Sequence, residues 1–289
     1  MVTIAGTPMG AGAPPDSLKV AAVQVISDPV KGAVPQAVAY MERAAAEGAR
    51  LIVFPEYHLG HIATPGPETE TLSAAARRLR LHVVIGCLET MSDGEFFNTA
   101  LLIDEEGSIA GRYRKVHPAV GEPPHFWPPK GDELEARMTP GTAFPVFDTV
   151  LGRIGIFICY DGYFAEVPNI LSVQGAEILV WINGRAASVE DFMVRTMVYQ
   201  TYTAMIATNT AHGRGTTVAQ YPATLLAVAD APEVEYISAT LDLANLRDAR
   251  RNSRVFHQRR PDLYTPLVSI ANPMEAAKAA ACPGIKENP

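Results

Sequence analysis

From Leu18 onward, short apolar runs alternate with amphipathic stretches. "LKVAAVQVI" (18–26) reads as a strand. Residues 33–48, "AVPQAVAYMERAAAEG", place Ala, Val and Met at helical spacing and end at Gly48, a helix stop. "ARLIVFPE" (49–56) predicts a buried strand cut short by Pro55. "SAAARRLRL" (73–81) predicts a helix, and "HVVIGCLE" (82–89) a strand. "FFNTALLIDEEGSIAGRYRKV" (96–116) reads as two strands around Asp-Glu-Glu-Gly, a hairpin signal. A Pro-rich loop fills 116–145, and so long a connection inside a domain is usually functional. Then come a strand ending at Cys159, a helix over 164–175, the strand "EILVWIN" (177–183) and a helix over 188–202. The strands "AMIATNT" (204–210), "ATLLAVAD" (223–230) and "VEYISATLD" (234–242) follow, then a short basic helix to Arg251.

Many of these strands are apolar on both faces, so helices must cover them. The mixture of hairpins and crossovers predicts a mixed sheet, or two sheets with helices outside, in one α/β domain. Its expected limits are 18–272, between an N-terminal arm (1–17) and a C-terminal tail (273–289), both Pro/Gly-containing and loose in composition. At 289 residues and 48% hydrophobic, the chain can bury a large core.

A net charge of −7 argues against a nucleic-acid partner, which needs a basic footprint. It gives no help at an anionic membrane surface either. No apolar run is long enough for a membrane helix, and the first residues make a poor signal peptide. Three cysteines, Cys87, Cys159 and Cys282, form no disulfide framework and fit a reducing, cytoplasmic setting. Without CxxC, HExxH, GxGxxG or P-loop patterns, neither a metal nor a nucleotide cofactor is expected.

Three chemically apt residues end three strands. Glu56 follows "LIVFP", Lys115 follows "GRYR", and Cys159 closes "IGIFIC". Reactive groups gather where strands stop. A cation and a following helix N-terminus would lower the thiol pKa, and a strand-to-turn position would present the sulfur outward. Glu56 could then move the thiol proton, while Lys115 and the backbone N–H of Tyr160 hold an oxyanion: covalent acyl transfer. Each residue alone also fits a plainer role. Cys159 suits core packing, as Cys87 does, Glu56 a surface charge, and Lys115 a solvated strand end.

Together, "LIVFPEYHLG", "GRYRKVHP" and "GIFICYDGYFAEVPNILSVQGAEILV" resemble the nitrilase, or carbon–nitrogen hydrolase, superfamily, and "RRNSRVFHQRRPDLY" is similar to its C-terminal segment. The resemblance implies a four-layer α-β-β-α sandwich, paired into homodimers or larger homo-oligomers, with Glu56, Lys115 and Cys159 as catalytic triad. It implies hydrolysis of a non-peptide C–N bond of a small molecule through a thioester. Cys-Tyr-Asp resembles the amidase and carbamoylase branches, so an amide or N-carbamoyl substrate is expected. A nitrile substrate and a noncatalytic interaction protein are the alternatives. The family's second glutamate matches Glu135 in "LEARMTPG", with Glu133 and Glu122 left open. Tyr57, Tyr163, Phe164 and Trp127 are candidate pocket aromatics. Arg185 is a candidate partner for a substrate carboxylate, and Asp161 a residue that orients the turn.

Overall fold

The computed structural model describes residues 13–27, 32–120 and 134–269. In chain order, the elements up to the first hairpin are β1 (Ser17–Gln24), α1 (Ala33–Ala46), β2 (Leu51–Val53), β3 (His61–Ile62), α2 (Pro67–Leu79), β4 (His82–Thr90), β5 (Phe96–Ile103) and β6 (Ile109–Arg114). After the Pro-rich segment come β7 (Val146–Thr149), β8 (Gly152–Ile158), α3 (Glu166–Val173), β9 (Ile178–Ile182), α4 (Asp191–Thr201), β10 (Ala204–Thr208), β11 (Thr216–Gln220), β12 (Thr224–Ala229), β13 (Glu235–Asp242) and α5 (Leu243–Arg251). The described residues up to Ala249 form one compact unit, which holds both sheets. Those from Arg250 form a second, whose described part consists of short helical turns.

One sheet runs β13-β1-β2-β4-β5-β6, with β3 beside β4; the other runs β12-β11-β10-β9-β8-β7. Each has a parallel centre and antiparallel flanks. The period-2 alternation of β1 shows why four layers form. Val20 and Ala22 join the core between the sheets, whereas Ala21 and Val23 join a second core under α1 and α2, with Met41, Leu72 and Ala76. On the other side, Val167 and Leu171 of α3 and Val194 and Val198 of α4 pack on the β8–β10 sheet. The observed order is therefore the expected α-β-β-α sandwich.

The structure adds elements that apolar patterning hides. β7 is a four-residue edge strand paired only to β8, and β11, "TTVAQ", lies between β10 and β12. Helix α2 begins at Pro67, six residues before the predicted start, because its first turn is polar. Pro67 sits at the first turn, and the Gly66 N–H donates to Thr69 Oγ1 at 2.8 Å. The predicted helix over 164–175 is α3, Glu166–Val173, and a 3-10 turn at Cys159–Tyr163 precedes it. No described helix is long and apolar enough to cross a membrane.

Candidate active site

Glu56 stands just past β2, where Pro55 ends the strand. Its N–H donates to the Asn183 carbonyl at 3.3 Å, tying the end of the first sheet to the end of β9 in the second. Two glycines make room for it. A Cβ on Gly86 would meet the Pro55 oxygen at 2.6 Å and Glu56 Cα at 2.7 Å, and one on Gly184 would lie 3.0 Å from Glu56 Oε2. Gly86→Ala therefore forces the Glu56 turn outward. Thermal unfolding should show a loss of about 1–3 kcal/mol, the usual overpacking cost, together with reduced turnover. An unchanged melt and rate would refute this account of the turn.

Lys115 follows β6, and its side chain is 1% exposed, as is that of Glu56. Its Nζ donates to Glu56 Oε1 at 3.0 Å and to Glu135 Oε1 at 2.6 Å. Glu56 Oε1 also accepts from Asn98 Nδ2 at 2.6 Å. Glu135 further accepts from the Tyr57 hydroxyl and the Ala119 N–H. Of the three candidates for second glutamate, Glu135 thus occupies the place beside the lysine, while Glu133 and Glu122 lie outside the described residues. So does Trp127.

Two carboxylates share one ammonium in a dry site, and the electrostatics follow from that. Burial raises the Glu56 pKa above the ordinary range; the Glu135 charge adds to this, and Lys115 and Asn98 offset part of it. For Lys115, burial acts against the charged form, but Glu56 and Glu135 overcome it and hold the ammonium. The Tyr57 phenol is pushed up by burial and by the same two carboxylates.

Cys159 directly follows β8 and has φ 45°, a left-handed conformation that costs a non-glycine residue about 1–3 kcal/mol. It is partly exposed, unlike buried Cys87. Its pKa corrects the sequence-based expectation: the thiol is pushed up to about 12, not down. Burial is the main cause and the Glu56 charge adds to it, outweighing Lys115 and Arg185. The turn after it is a short 3-10 segment, and α3 starts only at Glu166, so no long helix dipole aims at the sulfur. The raised pKa favours the neutral thiol over the thiolate.

The remaining candidates divide. Tyr57 is at the site through its hydroxyl on Glu135. Tyr160 and Tyr163, in the turn that starts at Cys159, are 36% and 50% exposed, with ring centroids 5.7 Å apart. Phe164 instead stacks on the His117 ring, centroids 3.8 Å apart. Arg185 lies within electrostatic reach of Cys159, but its guanidinium is held by Glu190 Oε2 at 2.9 Å and by the Tyr163 hydroxyl. Asp161 is fully buried and accepts hydrogen bonds as a turn organiser. Sequence reading missed Asn98, His117 and Glu190. Only Asn98, a polar residue within the apolar β5, left a signal.

The two stacked sheets thus bring a glutamate, a lysine and a cysteine from three strand ends to one part of the molecule, within electrostatic reach of one another. The chain belongs to the carbon-nitrogen hydrolase family, whose sequence profile matches residues 19–251. It is 29% identical over 267 residues to an omega-amidase of Xenopus laevis, covering 84% of this chain and 95% of that protein. It is 32% identical over 195 residues to a nitrilase of Bradyrhizobium diazoefficiens, covering 57% of each. Among solved structures, the C. elegans NitFhit protein superposes with a TM-score of 0.76 at 23% identity, covering 88% of this chain and 67% of that one. The protein is thus a hydrolase of the carbon–nitrogen bond.

Proposed function

We propose that the protein is a cysteine-dependent amidase acting on a small amide or N-carbamoyl compound. The observation that carries this reading is the buried Lys115 ammonium shared by Glu56 and Glu135 beside the partly exposed Cys159. Glu56 takes the Cys159 proton as Sγ bonds to the substrate carbonyl carbon. The oxyanion is held by Lys115, which has a third N–H beyond its two carboxylate bonds, and by the Tyr160 N–H. Glu56 then gives the proton to the leaving nitrogen as the C–N bond breaks, which leaves a thioester and ammonia or an amine. A water deprotonated by Glu56 attacks the thioester, the acid leaves, and the proton returns to sulfur. A raised Glu56 pKa suits a group that must both accept and return a proton.

Similarity to an omega-amidase over nearly all of that protein's length supports an amide, as does the Cys-Tyr-Asp turn. The test is ammonia release from matched small amides, N-carbamoyl amines and nitriles, with intact-mass detection of the acyl adduct. The expected result is turnover of an amide or carbamoyl compound and an adduct mapped to Cys159. Turnover of nitriles alone would replace the amidase reading. An adduct confined to Cys87 would remove the mechanism.

A further inference from the structure

Cys159 sits in a backbone conformation that a non-glycine residue keeps only when its surroundings enforce it. The hydrogen bonds around the turn identify what enforces it. The Ile158 N–H, immediately before the cysteine, donates to Asp161 Oδ2 at 3.0 Å. The cysteine's own carbonyl accepts from Trp181 Nε1 at 2.9 Å. Below the turn, a Cβ on Gly162 would lie 2.5 Å from the Trp181 ring, so indole and turn are in closest contact.

Asp161 also reaches the other sheet. Its Oδ2 accepts from the Tyr113 hydroxyl at 2.6 Å, and its Oδ1 from the His117 N–H at 3.0 Å and His117 Nδ1 at 2.8 Å. Tyr113 and His117 lie two residues before and two residues after Lys115. The acceptor sites of a carboxylate number about four, and these donors fill them, so Asp161 has no capacity left to take a proton from substrate. The His117 ring is itself fixed by its stack on Phe164, which follows the same turn.

We propose that Asp161 is the positioning residue of this site, clamping the strained Cys159 turn and locking it in register with the chain segment that carries Lys115. One buried carboxylate thereby fixes two of the three reacting groups from different sheets. The inference rests on the thiol mechanism above. Its test therefore includes alkylation of Cys159, a readout that needs no amide turnover.

Asp161→Asn keeps the side chain's shape but cannot accept all four hydrogen bonds. Tyr113→Phe removes one donor and leaves the carboxylate. In Asp161→Asn, kcat should fall on the order of 10²-fold with KM little changed, the scale of a misplacement near 1 Å. The iodoacetamide rate at Cys159, followed against pH by peptide mass mapping, should shift its profile, while the rate at Cys87 should not rise. Tyr113→Phe should shift both readouts in the same direction by about 10-fold, the lower end of the scale for one hydrogen bond to a charged group. If Asp161→Asn yields no folded protein, Tyr113→Phe decides alone. Wild-type kcat and a wild-type alkylation profile in the folded variants would overturn the proposal, even with a lowered melting temperature. If Cys159→Ser retained hydrolysis, the mechanism would fail, while the alkylation profiles would still decide the role of Asp161.

Discussion

Cys159→Ala is expected to abolish ammonia release, a loss of at least about 10⁴-fold, while the melting temperature stays close to that of the parent. Both halves follow from where the sulfur is. Cys159 is partly exposed, so removing Sγ leaves no sealed cavity. The bonds that hold its turn run from the Ile158 N–H, the Cys159 carbonyl and the Asp161 carboxylate, none of which the substitution touches. The thiol is also the group that attacks the substrate carbonyl in the proposed sequence, and Glu56 without it has only water to activate. Cys159→Ser should be nearly as inactive, because a hydroxyl is a poorer nucleophile with a higher pKa. Cys87→Ala is the control. That residue is wholly buried in β4, with its thiol pushed up by burial, so its truncation should lower stability and leave turnover intact. Ammonia assays and thermal melts on the three variants check this set. Retained hydrolysis in both Cys159 variants would sink the mechanism.

The three principal side chains were legible in the chain because each stands where the character of a strand-like run changes. Pro55 ends the run before Glu56, the basic end of β6 exposes Lys115 as a change in character, and Tyr-Asp-Gly breaks the run at Cys159. What holds them in place was less legible, since it depends on contacts far apart in sequence. Asn98 looked like an ordinary polar residue in a strand, yet it meets Glu56 across 42 positions. His117 lay in a Pro-rich stretch with no periodicity, and its partner Asp161 is 44 residues on. β11 was invisible for a related reason. Its threonines read as loop, but Thr216 Oγ1 accepts from the Asn209 N–H at 2.9 Å and Thr217 Oγ1 donates to the Gly215 carbonyl at 2.8 Å. With those bonds made, a polar strand can lie in the interior. The thiol pKa was misjudged in direction because sequence shows which charges are near but not how much water is removed. Here burial outweighs both cations.

Lys115→Met should be the most damaging change to both fold and activity. Methionine keeps much of the lysine's length but removes the cation that bridges Glu56 and Glu135, each of which accepts from Nζ in the parent. Breaking a buried pair from one side costs roughly 3–5 kcal/mol, because the partner charge is left without compensation. Two carboxylates are stranded here. The Glu56 pKa, already raised by burial, loses the Lys115 charge that was lowering it and must rise further. A carboxyl whose folded pKa exceeds its unfolded value is most stable where it is protonated, below the unfolded pKa near 4.5. Its contribution is lost as pH rises through the folded pKa. The variant's melting temperature should therefore fall as pH is raised from about 4.5 toward 8, more steeply than the parent's. Turnover at neutral pH should drop by about 10³-fold or more, since the oxyanion loses a donor and a further rise in the Glu56 pKa leaves less of the carboxylate that takes the thiol proton. Adding Glu135→Gln removes one stranded charge, so the double variant should regain part of the stability and flatten the pH dependence without regaining turnover. Melts across pH together with ammonia assays separate these effects. If Lys115→Met melts like the parent at every pH and still hydrolyses amides, then the ammonium neither balances the buried carboxylates nor holds the oxyanion.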